Sequence, residues 1–95
     1  MQSLPIPPAA EEDPKARELA RIWAAGGKQH VTLAVGLWSD PAAWGMMLVD
    51  LAKHIANAYE IEGQLIAATA LARIKEGFVV EWQNSTDEPF GELID

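Results

Sequence analysis

The chain has 95 residues and a net charge of −7, from seven lysines and arginines against fourteen aspartates and glutamates. That length suits one small domain, and the sparse, scattered basic residues exclude a nucleic-acid face, which needs clustered Lys and Arg to release phosphate counterions. The absence of cysteine excludes disulfides, thiolate metal sites and cysteine nucleophiles.

The apolar stretches, such as Met46 to Val49, fall far short of the roughly 20 residues that span a bilayer. No polybasic patch reads as a membrane surface anchor, and Met1 to Pro8 lacks the charged and apolar regions of a signal peptide. The expectation is a soluble cytoplasmic protein. A domain this small buries only roughly 60% of the surface its unfolded chain exposes. It has few places to hide Trp23, Trp38, Trp44 and Trp82, so oligomerisation would add useful burial.

In chain order, residues 1–10 read as an extended arm, because Pro5, Pro7 and Pro8 fix φ and restrict the residues before them. A single globular α+β domain is expected over 11–83. Asp13-Pro14 reads as an N-cap with proline at the first helical position. Ala16, Leu19, Ala20 and Trp23 then follow at helical spacing up to Gly26-Gly27 as the stop.

Residues 31–38 read as a strand, with Val31, Leu33, Val35 and Leu37 on one face and Thr32, Ala34 and Gly36 on the other. Asp40-Pro41 repeats the cap-plus-proline device. It opens a second helix running to about Tyr59, with Trp44, Met47, Leu48, Leu51, Ile55, Ala58 and Tyr59 on one broad face. Asp50, Lys53, Asn57 and Glu60 lie opposite, while Val49, Ala52 and Ala56 widen the apolar arc, as for a helix touching more than one neighbour.

After a turn at Glu62-Gly63, the stripe Ala67, Leu71, Ile74, Phe78 and Trp82 predicts a third helix over 65–83. Its end, 78–82, is β-branched and aromatic enough to be a strand instead. Residues 84–95 are acidic, contain Pro89 and Gly91, and read as a tail. The expected fold is therefore three helices with a single central strand after the first helix.

A lone strand leaves backbone donors and acceptors unpaired, at a cost of about 1–3 kcal/mol for each one buried. The arm lacks N–H groups at its prolines, so the candidate partners are the 78–82 segment and the same strand of a second copy. Antiparallel pairing of 31–38 across a two-fold axis satisfies the strand, and this predicts a homodimer.

Gly26-Gly27-Lys28 is not a phosphate loop. Such a loop runs from a strand into a helix N-terminus, whereas these glycines close a helix, with Lys28 near the negative end of its dipole. His30 and His54 are the only histidines. Asp50 and His54 stand four apart on the second helix and share a face, which permits an acid–base pair or two metal ligands; an ordinary hydrogen bond accounts for the spacing equally. No metal, cofactor or catalytic set is assigned. Trp38, Trp44, Tyr59 and Trp82 could line a pocket, but tryptophans at helical spacing are more often core.

The WAAGGKQHVTL run from Trp23 to Leu33 carries a resemblance, together with WSDPAAWG from Trp38 to Gly45 and DLAKHIANAY from Asp50 to Tyr59. With these runs the chain resembles a family of small bacterial proteins, domain of unknown function 5076, from Leu4 to about Trp82. It departs from the family's pattern over 61–70, which is more apolar here. The resemblance implies a soluble bacterial protein and carries over no activity, substrate or catalytic residue.

Two functions stay open. The first is a non-catalytic homodimeric interaction or assembly module, pairing with itself through strand 31–38 and with a further protein partner as an addition. The alternative is a small-ligand-binding protein or minor enzyme with its site near Lys28, His30, Asp50 and His54.

Overall fold

The computed structural model describes residues 3–84 and the backbone of 92–94. The elements are α1 (Pro8–Glu12), β1 (Ala20–Ala25), β2 (Lys28–Ala34), α2 (Ala42–Ile61), α3 (Ala67–Gln83) and β3 (Glu92–Ile94). The class is α+β, and the chain divides into two compact units, Met1–Gly36 with Phe90–Asp95 and Leu37–Pro89.

The first unit is a three-stranded sheet in the order β1-β2-β3. β1 and β2 run antiparallel, pairing Ile22 with Val31 and Trp23 with His30. The link between them is Gly26-Gly27, at φ +61° and +76°. Positive φ at both central residues is the mark of a type I′ turn, whose twist matches that of the flanking strands. The glycines that the sequence reading took for a helix stop therefore reverse a hairpin, and the helix expected from Asp13 to Ala25 is replaced by strand β1.

Asp13 does organise a local turn. Its side-chain Oδ1 accepts from the Lys15 N–H at 2.8 Å, and its carbonyl accepts from the Ala16 N–H at 3.0 Å. No helix propagates beyond it. Within β1, Ala20, Ile22 and Ala24 alternate with Arg21, Trp23 and Ala25, a period of two that serves the ladder. The expected extended arm is also shorter than 1–10, because Pro8 occupies the first helical position of α1, where its missing N–H costs nothing.

The lone strand is corrected accordingly. β2 has β1 along one edge, and β3 lies parallel to it on the other, placing Thr32 opposite Glu92 and Ala34 opposite Ile94. The chain itself supplies the backbone partners that a second copy had been invoked to provide. Of the tail expected over 84–95, residues 85–91 and 95 lie outside the described residues, and 92–94 are strand rather than tail.

The second unit is a helical hairpin. The Oδ1 of Asp40 accepts from the Ala42 N–H at 3.0 Å, so the Asp-Pro signal opens α2 as expected. Gly63, at φ +74°, closes it: its N–H reaches the Glu60 carbonyl, and the Gln64 N–H reaches the Tyr59 carbonyl, both at 3.0 Å. That pair of bonds is a Schellman motif. Glu60 then reaches across the connection, its Oε1 accepting from the Ala67 N–H at 2.8 Å, where a carboxylate also suits the positive end of the α3 dipole. α3 is helical through Gln83, so 78–82 is not a strand.

α2 and α3 pack against each other, and the most buried residue of each is an alanine, Ala56 and Ala70. Small side chains allow two helices to approach closely, but they remove little apolar area from water.

Candidate functional site

The four candidate site residues fall two to each unit. Lys28 and His30 stand on β2, and Asp50 and His54 on α2. All four are exposed. Lys28 pairs with Ala25 at the mouth of the I′ turn, while His30 lies opposite Trp23 with its Nε2 3.2 Å from the Ala25 carbonyl oxygen. The imidazole thus holds the hairpin end by a local contact.

Asp50 and His54 share the polar side of α2 as their spacing predicts, yet no hydrogen bond joins them among the described residues. Nor do any three His, Asp or Glu residues gather as metal ligands there. An acid–base device or metal centre needs its donors converged and oriented by neighbours. The structure gives Asp50 and His54 a common face and nothing further.

Two shallow depressions mark the described surface. One lies beside the hairpin, lined by Ile22, Trp23, Ala24, Gly27, Lys28 and Gln29. The other lies on the helical hairpin, among Tyr59, Leu65, Ala70, Arg73 and Ile74. Both open to solvent and lack the concavity that buries most of a small ligand. Ile22 and Trp23 lie on a segment whose spacing predicts a helix, and the Gly-Gly pair flanked by alternating residues is the signal for the strand that places them here.

Four of the described aromatic residues form two pairs. Trp38 and Trp44 meet edge to face with centroids 5.0 Å apart, and Phe78 stacks on Trp82 at 5.6 Å. The second pair is open to solvent, Trp82 being 78% exposed.

The model of the family described as domain of unknown function (DUF5076) matches residues 3–86. The chain belongs to that family. Among solved structures it is similar to one described as "Structure of a putative pyruvate dehydrogenase from the photosynthetic bacterium Rhodopseudomonas palustrus CGA009", with 32% sequence identity and a TM-score of 0.73. The match covers 100% of this chain and 97% of that one. No curated protein matches. Membership in DUF5076 confirms the resemblance carried by the WAAGGKQHVTL, WSDPAAWG and DLAKHIANAY runs, and it brings no assigned activity. No helix of the described residues is long and apolar enough to cross a membrane.

Proposed function

We propose that this DUF5076 chain is a non-catalytic assembly module that works as a homodimer. The observation that carries the reading is the mismatch between what the chain buries and what it exposes. Among the described residues only Ala56 and Ala70 are buried, whereas eighteen large apolar side chains, including Leu48, Leu51, Ile55, Phe78 and Trp82, are exposed. Scattered exposed apolar residues are normal, but a contiguous set marks an interaction surface. Covering a half-exposed Leu or Ile returns about 1 kcal/mol, at ~25 cal/mol per Å² of apolar area, so several such residues together repay association.

A two-helix hairpin is marginal alone, and a second copy supplies burial to it. Pairing through strand 31–38 is the less supported form of the dimer, since β1 and β3 already flank β2. The alternative of a ligand site near Lys28, His30, Asp50 and His54 rests on the sequence reading alone. The dehydrogenase name of the solved relative is not carried over.

Sedimentation equilibrium at micromolar concentration tests the reading: the expected mass is twice 10.3 kDa, and a single-chain mass refutes it. His54→Ala should leave association unchanged.

A further inference from the structure

We draw no further inference here: the strongest candidate, the outer edge of β1 (Ala20–Ala25) in the three-stranded sheet, which no strand pairs among the described residues, is an open strand edge alone, and nothing in the structure shows what covers it.

Discussion

Replacing Gly26 by alanine separates backbone strain from packing at the point where the structure departs most from helical expectation. Gly26 sits at φ +61°, and a Cβ built there meets nothing within 4 Å, so steric conflict with neighbours contributes nothing. What remains is the left-handed penalty for an L-residue, about 1–2 kcal/mol. Asparagine tolerates this region and is favoured at the first central position of a type I′ turn, so Gly26→Asn should cost much less.

The hairpin has no other link, and the penalty falls on the β1–β2 pairing that places Trp23 opposite His30. Amide hydrogen exchange of the cross-strand N–H groups reads it locally. Gly26→Ala should speed exchange by about 5–30-fold, the factor that 1–2 kcal/mol represents, with Gly26→Asn close to the parent. Unchanged exchange in Gly26→Ala, or an equal loss in Gly26→Asn, would refute the I′ assignment.

Elsewhere, Glu60→Ala removes the carboxylate that accepts from the Ala67 N–H and should cost about 1 kcal/mol of stability in urea unfolding, as lost caps do; Glu60→Gln should recover part of it. Asp40→Ala removes the acceptor of the Ala42 N–H and should cost a similar amount. Ala56→Leu forces extra volume into the contact between α2 and α3 and should destabilise by about 1–3 kcal/mol, whereas Met46→Leu, at a position 75% exposed, should be neutral in the same assay. Saturating zinc should leave the melting temperature unchanged, and a rise of several degrees would argue for a site at Asp50 and His54.

The second unit was largely legible in the sequence because its signals are local. Asp40-Pro41 fixes where α2 starts, Gly63 where it stops, and the breaker-free run between them satisfies its own hydrogen bonds. Even the doubled apolar arc of α2 could be read as contact with more than one neighbour. The site was less legible. Four titratable residues at suggestive spacings say nothing of convergence, which depends on how distant elements are brought together.

The first unit shows the limit most clearly. Residues 20–25 contain alanine, arginine and tryptophan, which suit helix or strand nearly equally, and their period can be counted either way over so short a run. Pairing with 28–34 decided the matter, since a ladder satisfies the backbone of both strands at once. β3 is further removed still, lying about sixty residues along the chain from the strand it joins. Sequence alone determined the absence of cysteine, the charge, the caps and the long helix, because each acts within a few residues. Only tertiary structure decided which segments became strands, because backbone pairing is settled between segments that no local pattern connects.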